Sequence, residues 1–206
     1  MNRLTLAVVV GVSMLVGTGL SGCAKERAQA RLDSSVATFR QNLDAMPANI
    51  DRTIAALTEL RNSANTDPAA SFRRFSQEFS WMQNRAAELG AQADRATANS
   101  AAFFREWTRD SMSGRSAAER QAAEERIVER RDQRDAALSL LSSGRTQYSQ
   151  LANSLRDIQN DLRRNLSWEN IQSMEPQMGR VVRQSVDVQN YIARLKEQID
   201  AIVAGN

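Results

Sequence analysis

Cys23 is the only thiol in a chain of 206 residues that contains no histidine, and these two facts bound the chemistry. Without His or a second Cys there is no Cys/His zinc site, no Ser-His-Asp triad, no Glu-x-x-His di-iron site and no intramolecular disulfide. The 24 Asp and Glu remain. Hydrolysis by carboxylates needs two acids set across a cleft, and here they alternate with 27 basic residues along repeats that predict close-packed helices. No enzymatic activity, cofactor or metal is expected. Cys23 still offers a nucleophile for one covalent attachment, and its neighbours indicate which.

Asn2 and Arg3 give a short positive start, followed from Leu4 to Leu20 by a stretch of apolar and small residues without a charge. This order is that of an export signal. A stretch of this length is at the lower limit for a helix that spans a membrane, so a cleaved signal over residues 1–22 is the preferred reading. Leu20-Ser21-Gly22-Cys23 resembles the bacterial lipobox. The resemblance implies cleavage between Gly22 and Cys23, a diacylglyceryl group on the Cys23 sulfur and often a further acyl chain, such as palmitate, on the new amino group. Two or three buried chains hold a protein on a membrane far more firmly than one. Ala24 stands where an Asp would resemble the inner-membrane retention signal, so the expected location is the cell envelope, lipid-anchored on the periplasmic face of the outer membrane.

Arg outnumbers Lys by 25 to 2, yet the net charge is only +3 because acids are interspersed throughout. Mixing of this kind describes a solvated helix surface, not a basic face for nucleic acid. With nine Gly and three Pro, there is little turn chemistry from which to build strands.

The elements that must carry the anchor are therefore few, long helices. Residues 23–35 read as a lipidated start and short tether, and residues 36–206 as one helical bundle. Val36, Phe39, Leu43, Met46, Ile50, Thr53, Leu57, Leu60 and Ala64 recur in steps of three and four, a seven-residue repeat of a coiled-coil type. Pro47 falls inside without changing the phase, which predicts one kinked helix. Asn62 to Asp67 reads as a turn, with Asp67 or Thr66 as cap and Pro68 in the next first turn.

The second series is Phe72, Phe75, Phe79, Met82, Ala86, Leu89, Ala93, Ala96, Ser100, Phe103, Trp107 and Asp110. Ser111 to Ser116, with Gly114 inside, forms the next connection, and Ser116 with Glu119 has the form of a capping box. The third helix begins charged, where Arg115/Glu119, Arg120/Glu124 and Arg131/Asp135 are spaced to pair. It then turns apolar through Leu141, Gly144, Tyr148, Leu151, Leu155, Ile158 and Leu162. Ser167 caps a last helix whose seam is Ile171, Met174, Met178, Val181, Ser185, Val188, Ile192, Leu195, Ile199 and Ile202, with Pro176 and Gly179 bending or delaying its first turns. Four such helices predict an all-α fold, an elongated antiparallel coiled-coil bundle. A three-helix rod, with the segment before Met46 packed separately, or a rod completed by dimerisation, is the alternative.

Phe103-Phe104-Arg105-Glu106-Trp107, a polar break, the Arg/Glu helix, then Leu155-Arg156-Asp157, Leu162 and Asn165-Leu166 before a final helix resemble an exported bacterial family known as domain of unknown function 2959. The likeness runs from about Ser34 to Val203. It departs at Gln150, near which the family often has a Pro. The resemblance implies export and coiled coil and brings no catalytic residues with it.

Three groups of side chains could meet a partner. Trp107, with Phe103 and Phe104, could dock a partner or stack on a ligand near the end of the second helix, but Phe103 and Trp107 sit in the core seam and are better read as closing the bundle. Trp81 and Trp168 fall outside the strict seams, so they are free either to touch membrane or partner or to pack across a helix shoulder. Lys25, Arg27 and Arg31 follow the lipid site closely enough to rest on anionic head groups, or to be an ordinary charged helix start. Ser100, Asp110 and Ser185 are polar at seam positions, where such residues commonly fix register. The expected function is that of a membrane-anchored structural or interaction rod, a scaffold or adaptor meeting envelope proteins, the cell wall or itself. The alternative is a carrier that opens to hold a lipid or other apolar ligand beside Ala86, Ala93, Ala96 and Gly144.

Overall fold

The computed structural model describes residues 22–113 and 116–204. Every regular element among them is a helix: α1 (Gly22–Asn62), α2 (Pro68–Met112), α3 (Ala117–Arg164), α4 (Trp168–Ser173) and α5 (Glu175–Ala204). The expected count of four becomes five because the last helix is interrupted at Met174. Its N–H reaches the carbonyls of Asn170, Gln172 and Ile171, the tightening of a helix end, and Pro176 brings no N–H of its own with which to continue the ladder.

The helix boundaries follow their local chemistry. Asp67 caps α2 by accepting from the Ala70 N–H at 3.0 Å, with Pro68 at the first helical position, where a missing N–H costs nothing. At α3 the capping box is complete: Ser116 Oγ accepts from the Glu119 N–H and Glu119 Oε2 accepts from the Ser116 N–H at 2.8 Å. Ser167 caps α4 through the Asn170 N–H. Pro47 sits inside α1, which continues unbroken on both sides of it. The helix also reaches back to Gly22, so the segment expected as a short tether, residues 23–35, is helical.

Four helical segments share one core. Phe39, Leu43, Met46, Ile50, Leu57 and Leu60 of α1 meet Phe75, Phe79 and Met82 of α2. Leu151, Leu155, Ile158 and Leu162 of α3 and Val181, Val188 and Ile192 of α5 complete it. Most of these side chains are fully buried, and replacing one of the larger ones by Ala costs about 2 to 5 kcal/mol in such a setting. Because Phe39 and Leu43 belong to this core, the segment before Met46 is not packed separately.

Pairs across the helices show how they lie. Glu59 meets Arg74 at 2.7 Å, Thr53 Oγ1 donates to the Glu78 carbonyl at 3.2 Å, Asn99 donates to the Arg31 carbonyl at 3.3 Å and Lys25 meets Asp110 at 2.8 Å. Contacts therefore climb α2 as they descend α1. The same holds between α1 and α5, where Asp51 meets Gln189 at 2.6 Å, Asp44 meets Lys196 and Arg40 meets Asp200 at 3.1 Å.

The core does not run the whole length. The last described turn of α5 lies beside Arg40, and at the same level Arg145 of α3 meets Asp94 at 2.5 Å and the Gly90 carbonyl at 3.1 Å. Past that level α1, α2 and α3 continue without α5. There, among the described residues, Ser111, Ala123 and Ile127 are the buried side chains.

Candidate functional site

The chemistry expected of the chain lies at the start of α1. Leu20 and Ser21 of the tetrapeptide, and the segment before them that is expected to be an export signal, lie outside the described residues, as does the Cys23 side chain. The backbone of Gly22 and Cys23 forms the first turn of α1. One half-turn further on, the Lys25 ammonium donates to Asp110 Oδ2 at 2.8 Å, both side chains being about two-fifths exposed. The pair ties the first turns of α1 to the last turn of α2. A partly exposed pair of this kind contributes up to about 1 kcal/mol, so its value here is positional. Of the three cations expected over head groups, Lys25 is thus engaged by Asp110, while Arg27 and Arg31 are exposed.

The interior of this end mixes polar and apolar side chains where that of the other end is mainly apolar. Carried back two heptads from Phe39, the α1 seam passes through Val36 and Leu32 to Gln29 and Lys25. The α3 seam carries Arg134 and Arg130 between Ala137 and Ile127, and both arginines are half-buried. Arg134 lies over the Phe104 ring, 5.0 Å from its centroid, a favourable seat for a cation. Its guanidinium also takes Asp135 at 2.9 Å, which displaces the expected pairing of Arg131 with Asp135. Arg115, the proposed mate of Glu119, lies outside the described residues.

The aromatic group is placed differently from expectation. Trp107 packs against Phe104 with ring centroids 5.5 Å apart, and both, with Phe103, are only half-buried, beyond the level where α5 ends. They do not close the four-helix core. Periodicity placed Phe103 and Trp107 on the correct stripe of α2; it carried no information about whether a fourth helix would stand opposite. Trp81 and Trp168 are exposed, at 50% and 38%, the first of the two placements their positions off the seam left open.

Two features escaped the sequence reading. One is the Lys25–Asp110 pair, whose signal was available: Asp110 had been placed at a seam position, and Lys25 continues the α1 repeat. The other is Tyr148, whose hydroxyl donates to the Met82 carbonyl at 3.4 Å. Burial pushes its phenol up to about 12, with the nearby Arg156 charge pulling the other way. Ser185 is buried and donates to the Val182 carbonyl at 2.7 Å, and Ser100 is half-buried.

Two surface depressions lie between α3 and α5. One is lined by Asp157, Asn160, Asp161, Arg163, Arg164 and Gln177, the other by Gln147, Asp187, Asn190, Tyr191 and Arg194. Both are open and polar. Among the described residues, no group of three or more acidic or thiol side chains is set to hold a metal ion, and no helix is long and apolar enough to cross a membrane. Comparison with protein-family models, with curated proteins and with solved structures returns no match.

Proposed function

We propose that this chain is an envelope lipoprotein: exported, acylated on Cys23, and carrying an antiparallel coiled-coil rod that serves as a structural or interaction element, a scaffold or adaptor. The observation that carries the reading is the single core that four helical segments share, from Phe39 to Ile199, with ion pairs spread along its outside. A fold that gathers most of its large apolar side chains in one continuous core and lays ion pairs along the outside of it is suited to holding position and presenting surface. The Leu20-Ser21-Gly22-Cys23 motif behind an apolar leader supplies the anchor, and Ala24 favours the outer membrane. The likeness to the exported coiled-coil family extends the same reading.

The test is capture from the native envelope. The acylated protein, gently extracted and examined by native mass spectrometry beside a Cys23→Ser form, should carry a protein partner, a cell-wall fragment or a second copy. A protein that arrives alone, and whose deletion leaves envelope permeability unchanged, contradicts the proposal. The carrier reading rests on small residues along α2 and α3, Ala86, Ala93, Ala96 and Gly144. A small apolar adduct in the same spectrum decides for it.

A further inference from the structure

The end of the fold that bears Cys23 is also the end at which α2 turns into α3. We infer that the last turn of α2 and the first turn of α3, with the first turns of α1, are the face the protein lays against a phospholipid surface, and that the four-helix end stands away from the bilayer. The inference rests on the reading of Cys23 as the lipid site.

Three observations carry it. Cys23 stands in the first turn of α1, so no flexible segment separates the acyl chains from the helix. Lys25 is held to Asp110 at 2.8 Å, and Asn99 reaches the Arg31 carbonyl at 3.3 Å, so the first three turns of α1 and the last four of α2 form one unit. Lipid on Cys23 therefore draws Met112, Ser113 and the first turn of α3 to the head groups with it. At 1.5 Å per residue, Asn62 lies about 60 Å further along α1, and the turns at residues 62–67 and 165–167 share that distant end.

The composition of the near end agrees with a seat on head groups instead of insertion among acyl chains. Beside buried Ala123 and Ile127, its half-buried inner positions include Lys25, Gln29, Arg130, Arg134 and Asp110. Its outward charges balance, with exposed Arg27, Arg105, Arg109 and Arg120 near Glu26, Glu106, Glu119 and Glu124, and Arg109 itself paired with Glu106 at 3.0 Å. Acyl chains, and not net charge, supply the hold. The placement should therefore be the same on zwitterionic and on anionic lipid.

The experiment uses the full acylated chain in vesicles of phosphatidylethanolamine and phosphatidylglycerol containing a lipid with a nitroxide-labelled head group. A fluorophore is attached to a single introduced thiol, either Ala118→Cys in the first turn of α3 or Asn65→Cys in the α1–α2 turn, both positions being exposed. Quenching should be several-fold stronger at position 118 than at position 65. Lys25→Glu should reduce that contrast, and Lys25→Glu combined with Asp110→Lys should restore it. Equal quenching at the two positions, or stronger quenching at 65, on a chain whose mass shows acylated Cys23, overturns the inference and leaves the lipoprotein reading standing. A chain without acyl groups overturns both.

Discussion

Tyr148 contributes to the loss of stability of this fold at alkaline pH. Its phenol is buried and titrates at about 12 instead of 10, so the folded state holds the proton more tightly than the unfolded chain. The stabilisation is complete below pH 10 and is lost as pH rises from 10 through 12, because only the unfolded chain gains by ionising in that interval. The wild type should lose roughly 1 kcal/mol more than Tyr148→Phe between pH 9 and pH 11, read as the shift in urea midpoint. Parallel losses in the two proteins would show that Tyr148 is not the group responsible. In the core, Leu155→Ala should cost about 2 to 5 kcal/mol, because Leu155 is fully buried. The corresponding change at Leu141, which is half-buried beside the core, should cost distinctly less by the same denaturation measurement. Single residues were legible in the sequence where burial follows period: every described member of the last seam, from Ile171 to Ile199, is buried. Arg134 was not, because its partner Phe104 lies on another helix and no spacing within α3 points to it.

At the scale of the element, the caps and breaks were readable because each is a local matter. Asp67, the Ser116–Glu119 box and Ser167 act within three residues of themselves. Asp67→Ala should therefore cost about 1 kcal/mol. The interruption at Met174 was half-readable: Pro176 announced a disturbance, and only the geometry showed a separate six-residue helix before it. Gly90 and Gly144 sit in the interiors of α2 and α3, near the level where α5 ends, and an added Cβ meets nothing within 4 Å at either. Ala at each position should stabilise the fold by roughly 0.5 to 1 kcal/mol, since the backbone entropy of Gly is the dominant cost there. A loss of stability in thermal melts of Gly90→Ala or Gly144→Ala would mean that α2 and α3 approach each other more closely than the structure shows. The start of α1 was misjudged for a different reason: residues 23–35 lack the strong apolar rhythm that marks the later turns, and their helix is supported by α2 through Lys25 and Arg31.

The whole molecule divides by the character of its interior. The end bearing the α1–α2 and α3–α4 turns is held by aromatic and aliphatic side chains. The end bearing Cys23 is held by mixed polar and apolar contacts, most of them half-buried, with Ser111, Ala123 and Ile127 buried. Local opening follows low apolar burial, so amide hydrogen exchange should be fastest in residues 25–36 and 117–134 and slowest around Leu57, Phe79, Leu155 and Val181. This gradient was hidden in the sequence, because periodicity reports which stripe of a helix faces inward and says nothing about how far a neighbouring helix extends along it. Removing the acyl site should leave the bundle intact: Cys23→Ser should keep its helical circular dichroism and melting temperature while leaving the membrane fraction. The most direct test of the central claim is the intact mass of the protein extracted from its own envelope. A mass equal to the chain from Cys23 onward plus two or three acyl chains is the predicted result; an unprocessed chain beginning at Met1, or a processed one with an unmodified Cys23, would contradict it.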